Sequence, residues 1–214
     1  MTRVLLASRN AKKLAELRRI LAPALPAVEV VGLDDVPTYD EVPETGATFA
    51  DNALLKAREG YAHTGLATVA DDSGLAVDAL NGMPGVLSAR WSGRHGDDEA
   101  NLRLVLGQLA DTPDERLGAA FVCAVAFVDA GGEVVVDGRM PGRLIREPRG
   151  ANGFGYDPIF VPSSANVASA NDMTSAELPA EEKDAISHRG QALRALVPYL
   201  MNRPSLTAGS EPSR

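Results

Sequence analysis

Short apolar runs alternate with amphipathic stretches through the first third of the chain, a rhythm that predicts strands interleaved with helices. Val4–Ala7 is a compact apolar run and reads as a buried strand. A polar turn follows at once. Leu14, Leu17 and Leu21 then recur at helical spacing, while Lys12, Lys13, Glu16, Arg18 and Arg19 fill the other positions. Pro23 and Pro26 stop this helix. Val28–Leu33 reads as a second strand, and Pro37 to Pro43 as an acidic loop. A second helix is predicted from near Thr48 to His63, with Phe49, Ala53, Ala57 and Tyr61 along one stripe. Leu66–Ala70 is a third strand that delivers two adjacent carboxylates, Asp71 and Asp72.

The pattern then changes. Gly74 to Gly96 is rich in Gly and Pro and predicts short strand pieces and turns, after which Asp97 or Asp98 can cap a helix to about Leu109. Leu117–Asp129 and Glu133–Gly138, joined across Gly131-Gly132, are the best hairpin signal in the chain. A turn from Gly150 to Gly155 precedes a short strand, Pro158–Val161. Residues 163–176, rich in Ser, Ala and Asn, read as a mobile loop, and Ser187 begins a last helix that ends near Asn202. Alternation followed by a hairpin supports an α/β fold with a mixed, elongated central sheet flanked by helices, not a purely doubly wound one. The two halves are expected to form lobes around an active-site cleft. No linker cuts the chain, so residues 1–203 read as one domain and 204–214 as a disordered tail.

Composition narrows the function. The 214 residues carry a formal charge of −8, with a pI of about 4.9. Gripping a nucleic-acid polymer takes a basic footprint, which is missing here, whereas a small phosphorylated substrate needs only a few local cations. Cys123 is the sole cysteine and lies in the apolar run Phe121–Val128, so it reads as a buried hydrophobe and no intramolecular disulfide can form. The apolar stretch at the N-terminus is too short for a signal peptide, and no run approaches roughly 18 apolar residues. A soluble, cytoplasmic protein with no membrane partner is expected.

Five polar clusters carry the candidate chemistry. Ser8, Asn10 and Lys13 occupy a strand-to-helix turn, where free backbone N–H groups and a lysine suit a phosphate; a simple helix cap explains them equally well. Glu44-Thr45-Gly46 precedes the second helix, on which Asn52 and Lys56 are four apart and share a face; facing a cleft they could hold phosphate oxygens, and a solvent-exposed face explains them equally well. Asp71-Asp72-Ser73-Gly74 reads as carboxylates placed at a strand end to bind a hard cation or activate water, with plain turn chemistry as the rival. Gly153-Phe154-Gly155-Tyr156-Asp157-Pro158 offers close backbone, a flat aromatic face and a carboxylate acceptor. Last come Lys183 and Ser187-His188-Arg189-Gly190, which put cations at a helix start and so imply an anion or carbonyl nearby.

Together and in this order, Ser-x-Asn-x-x-Lys, Glu-Thr-Gly, Ala-Asp-Asp-Ser-Gly-Leu, Gly-Phe-Gly-Tyr-Asp-Pro and Ser-His-Arg-Gly resemble the inosine triphosphate pyrophosphatase family, from Val4 to about Leu200. The resemblance implies hydrolysis of the α–β phosphoanhydride of dITP, ITP or XTP, a Mg²⁺ requirement and a homodimer. It implies that Ser8, Asn10, Lys13 and Lys56 hold the triphosphate, and that Glu44 and Asp72 handle the metal, with Asp72 as proton acceptor and Asp71 in support. Ser73 would contact substrate and Phe154 would stack on the base. Gly155, Tyr156 and Asp157 would line the base pocket, while Lys183, His188 and Arg189 would read the base edge. The stretch before Ala176-Glu177-Leu178 lacks an expected Gly-Lys-Thr run, which departs from the family pattern. Two rivals share some of these residues: a Maf-like pyrophosphatase for other modified nucleotides, and a nucleotide sensor that does not hydrolyse.

Overall fold

The computed structural model describes residues 2–40, 42–163 and 172–207. Strand β1 (Thr2–Leu6) leads into helix α1 (Ala11–Leu21) and strand β2 (Val28–Val31), and helix α2 (Phe49–Thr64) leads into strand β3 (Ala67–Val77). Helix α3 (Asp98–Gln108) precedes the hairpin of β4 (Gly118–Asp129) and β5 (Gly132–Leu144); β6 (Phe160–Pro162) follows. Helices α4 (Ala180–Ile186), α5 (His188–Met201) and α6 (Pro204–Thr207) close the chain. One six-stranded sheet runs in the order β2-β1-β3-β4-β5-β6. Strand β1 pairs parallel with both β2 and β3, whereas β5 and β6 are antiparallel. The sheet is therefore mixed, as the alternation and the hairpin require.

The chain divides into two compact units. The first comprises Met1–Asp72, Ala124–Asp137 and Ala192–Arg214, and the second Ser73–Cys123 and Gly138–Gln191. The first unit packs small side chains: Ala53 and Ala57 of α2 bury against Ala70, Ala124 and Ala126. Phe49 and Tyr61, on the same predicted stripe, pack against that cluster. Alanine lets a helix approach the sheet closely. The second unit uses larger groups, among them Leu75, Phe121, Met140, Ile159 and Phe160. Full burial of each such side chain contributes about 1.5–3 kcal/mol.

Several expectations change. Strand β3 does not end at Ala70 but continues to Val77, so Asp71 and Asp72 lie in mid-strand and are buried. Turn chemistry at Asp-Asp-Ser-Gly is thereby ruled out. Leu75 and Val77 carry the apolar pattern onward, and the Leu75 N–H donates to Ser88 Oγ at 2.9 Å. Any Cβ at Gly74 would collide with that serine, which is why so permissive a residue sits inside a strand. Between Gly74 and Gly96, the expected strand pieces are the end of β3, to Val77, and an isolated bridge from Ala76 to Pro84, and the expected turns are 3₁₀ segments at Asp78–Leu80 and Gly85–Arg90.

Strand β4 matches its prediction to within one residue, β5 outruns its own by six residues at the far end, and Gly132 enters β5 with φ +116°. Helix α4 went unforeseen because seven residues give little periodicity. Of the loop 163–176, residues 164–171 lie outside the described residues. Thr174 and Ser175 are buried and bonded, Thr174 Oγ1 to the Arg149 carbonyl and the Ser175 N–H to the Phe160 carbonyl. Residues 204–207 form α6 in place of tail, held by buried Leu206 and by Ser205 Oγ donating to Asp129 at 2.8 Å. The rest of the expected tail, 208–214, lies outside the described residues. Cys123 is buried, as its apolar run predicts.

Candidate active site

Where β1 gives way to α1, Asn10 is the helix cap: its Oδ1 accepts the Lys12 N–H at 2.9 Å and the Lys13 N–H at 3.2 Å. Ser8 Oγ in turn accepts the Asn10 N–H at 3.2 Å. Both are thus occupied locally, which favours the cap reading for them. Lys13 is not a solvated cap residue. Its Nζ lies 2.7 Å from Asp71 Oδ2, and the Asp71 side chain is only 3% exposed. A carboxylate so buried needs that counter-charge.

Asp72 faces different partners, as neighbouring strand residues must. Asn52 Nδ2 donates to its Oδ2 at 3.0 Å, and Lys56 Nζ lies 3.4 Å from its Oδ1. Lys56 also donates to Glu44 Oε1 at 2.8 Å. Asn52 is fully buried and accepts the Gly46 N–H at 2.7 Å, tying the Glu-Thr-Gly loop to the same point. A side chain at Gly46 would crowd Asn52. Thr48 caps α2 in a capping box with Asp51, which sets the register that puts Asn52 and Lys56 on this face. Burial pushes the Asp72 carboxyl above its ordinary value of 3.8, against the opposing pull of Lys56 and the Asn52 hydrogen bond, with Glu44 adding to the rise. Burial alone would lower Lys56, but the combined fields of Asp72, Glu44 and Asp71 outweigh it and hold its pKa above the usual lysine range.

The donor set fits a hard divalent cation. Glu44 and Asp72 converge on the Lys56 ammonium, so a positive charge already stands between the two carboxylates. Among the described residues no group of three or more His, Cys, Asp or Glu could by itself hold a metal ion. A hard cation can be held by one or two carboxylates, with water and phosphate oxygens completing its shell.

The second unit carries a site of another kind. Gly153 and Gly155 adopt φ +82° and +59°, backbone that other residues rarely enter, and so form a tight turn around Phe154. Asp157, 3% exposed, accepts the Phe154 N–H at 2.9 Å and Lys183 Nζ at 2.5 Å, both through Oδ2. Phe154 is left 60% exposed, with the Lys183 ammonium 5.5 Å from its ring centre. The Gly155 N–H donates to Asp98 Oδ2 at 2.8 Å. Tyr156 points inward and donates its hydroxyl to the Ser88 carbonyl at 2.8 Å. Burial, then the charge of Asp98, pushes its pKa well up. Ser187 caps α5 as expected, accepting the Gly190 N–H at 2.9 Å. His188 stacks on Phe121 with ring centres 5.2 Å apart, and Arg189 donates to Ser73 Oγ at 3.4 Å.

In the first unit, then, Lys13 joins Asp71, and Lys56 joins Glu44 and Asp72. Phe154, Asp157 and Lys183 meet in the second, as do Ser73 and Arg189. The polar atom of Tyr156 is spent inside its own unit. Sequence reasoning missed the contacts of two residues. Asn52 was read with Lys56 as a candidate holder of phosphate oxygens, not as the donor that orients Asp72. Asp98 was read as a helix-cap alternative to Asp97, yet Asp97 alone fills that role by accepting the Ala100 N–H.

The profile of the Ham1 family matches residues 4–199. The chain belongs to the Ham1 family. It is 65% identical over 206 residues to a dITP/XTP pyrophosphatase of Mycobacteroides abscessus, spanning 95% of this chain and 97% of that protein. A crystal structure described as a nucleoside-triphosphatase or dITP/XTP pyrophosphatase from Mycobacterium abscessus matches with 66% identity and a TM-score of 0.77, over 92% of this chain and all of that one. A HAM1 protein from Coxiella burnetii superposes with a TM-score of 0.83 at 39% identity, over 95% of this chain and 100% of that one. The five sequence clusters of this Ham1 chain all fall within the matched span.

Proposed function

We propose that this Ham1-family chain hydrolyses non-standard purine nucleoside triphosphates (dITP, ITP, XTP) to the monophosphate and pyrophosphate. The observation that carries the reading is Asp72: buried, oriented by Asn52, raised in basicity and facing two groups, Lys56 and Glu44, that suit a metal–phosphate ligand.

A triphosphate carries about four negative charges, so the ammonium groups of Lys13 and Lys56 bind it, with the N–H groups at the start of α1 around Ser8 and Asn10. Both lysines are already positioned by carboxylates, and so lose little freedom on binding. Asp72 takes a proton from water as its oxygen forms a bond to the α-phosphorus and the bond to the bridging oxygen breaks. Its raised pKa makes it a stronger base than an exposed aspartate. Glu44 and Asp72 would hold Mg²⁺, which supplies neutralisation of the charge growing on pyrophosphate. Asp71, paired with Lys13, supports that lysine's position.

The second unit supplies base recognition. Phe154 offers an exposed flat face, and Lys183, His188 and Arg189 bring donors that match a 6-oxo acceptor. Ser73, Gly155, Tyr156 and Asp157 shape that pocket. Adenine presents an amino donor where these groups also donate, and a mispaired buried polar group costs about 1–3 kcal/mol, roughly 5- to 150-fold per contact. A homodimeric, cytoplasmic enzyme that acts on free nucleotides completes the proposal. No helix among the described residues is long and apolar enough to cross a membrane.

A panel of dITP, XTP, dATP, dGTP and modified pyrimidine triphosphates, assayed for pyrophosphate with and without Mg²⁺, tests it. Preference for dITP and XTP with Mg²⁺ dependence is the expected result. Preference for the pyrimidines would favour a Maf-like enzyme, and tight binding without turnover would favour a sensor.

A further inference from the structure

Two aspartates open α3 and only one of them caps it. Asp97 is the N-cap, its Oδ1 accepting the Ala100 N–H at 3.2 Å. Asp98, the first helical residue, turns its carboxylate away from its own helix and accepts the Gly155 N–H at 2.8 Å. Gly155 is the residue after exposed Phe154 and holds φ +59°. On the near side of the same turn, Asp157 accepts the Phe154 N–H at 2.9 Å. Tyr156 anchors it below by donating to the Ser88 carbonyl at 2.8 Å. Successive amides of one glycine-rich turn, at positions 154 and 155, are thus each clamped by a carboxylate from a different element.

We propose that Asp98 is a positioning residue for base selection: through the Gly155 amide it holds the turn that presents Phe154 to the nucleobase. This rests on the functional reading above. The positive-φ glycines on either side of Phe154 bring no side chain to stiffen the backbone there, so its shape at that point depends on the groups that take its N–H donors. Asp157 is also bonded to Lys183, and its geometry answers to that ammonium as well as to the turn. Asp98 is the carboxylate that reports on the turn without a base-reading cation attached. It belongs to the second unit and is not a member of the lysine–carboxylate cluster of the first.

The test compares Asp98→Ala with Asp98→Asn, whose side-chain carbonyl can still accept the Gly155 N–H. Two readouts are needed: exchange of the Gly155 amide by NMR in the absence of nucleotide, and steady-state kinetics with dITP. Asp98→Ala is expected to speed Gly155 exchange and raise the dITP KM about three- to tenfold while kcat changes less than twofold, the size of one lost hydrogen bond. Asp98→Asn is expected to restore both. Unchanged exchange in folded Asp98→Ala overturns the clamp, and so does failure of Asp98→Asn to rescue. Faster exchange with an unchanged KM overturns the role in base selection. A wild-type protein that turns over no triphosphate overturns the functional reading and this role with it, whereas the exchange measurement still judges the clamp by itself.

Discussion

Under the proposed function, the lysine–carboxylate cluster of the first unit and the glycine-rich turn of the second would solve opposite recognition problems. In the first unit the proposed recognition is by charge: Lys13 of α1, Lys56 of α2, Glu44 of the loop before α2, and Asp71 and Asp72 of β3 act through their side chains. Coulomb attraction falls off slowly and is indifferent to direction, so ammonium groups suffice for a phosphate chain common to every nucleotide. In the second unit the backbone does it. Residues 153–157 are fixed by two glycines at positive φ and by carboxylates that accept successive amides. Hydrogen bonds demand direction, and direction is what separates one base from another. Substitutions in the first region should therefore damage rate on all substrates, and those in the second should damage choice among them.

The sharpest way to break this contrast is Asp72→Asn. Loss of turnover by about 10³-fold or more is expected on every triphosphate alike, without loss of fold. The pKa of Asp72 is higher in the folded chain than in the unfolded one, so its protonated form favours folding below pH 3.8, and that contribution disappears as pH rises through the folded value. At neutral pH the ionised carboxylate thus costs stability, and Asp72→Asn should show a Tm no lower than wild type in a thermal melt. Near-normal turnover in that folded variant would sink the assigned role.

Lys56→Met comes next. It should raise KM about 10- to 100-fold with dITP and with dATP equally, read from parallel kinetics. A change confined to one base would blur the division between the regions. Asp157→Ala should act the other way, releasing both the Phe154 amide and Lys183 and lowering the dITP-to-dATP preference about tenfold while leaving kcat on dITP within severalfold. The smallest effect concerns pH. With Asp72 raised by burial, the acid limb of kcat/KM should fall above the ordinary 3.8, activity being lost as pH drops through the raised value. A carbon-detected NMR titration of the Asp72 carboxyl in Glu44→Gln should move down relative to wild type, since Glu44 adds to the rise.

Much of the first unit was legible because its elements are local. Leu14, Leu17 and Leu21 announce α1, and the stripe Phe49, Ala53, Ala57 and Tyr61 announces α2. The second unit was harder. Its 3₁₀ turns and seven-residue α4 carry too few residues for a period to show, and its turn at 153–157 is defined by who accepts each amide. The acidic pair illustrates the difference best. Asp-Asp-Ser-Gly has the composition of a turn, yet Leu75, Val77 and the close approach of Ser88 to Gly74 keep it extended.

By itself the sequence determined the kind of chemistry: which carboxylates, lysines and glycines exist, in what order, and that the hydrophobic rhythm would build a mixed α/β sheet around them. Tertiary structure alone decided which member of each acidic pair does what. Asp71 meets Lys13 while Asp72 meets Asn52 and Lys56; Asp97 caps its own helix while Asp98 reaches the Gly155 amide. Adjacent residues are chemically identical in a sequence. They part company only when a strand turns them to opposite faces, or when a helix start points one along its axis and the other away.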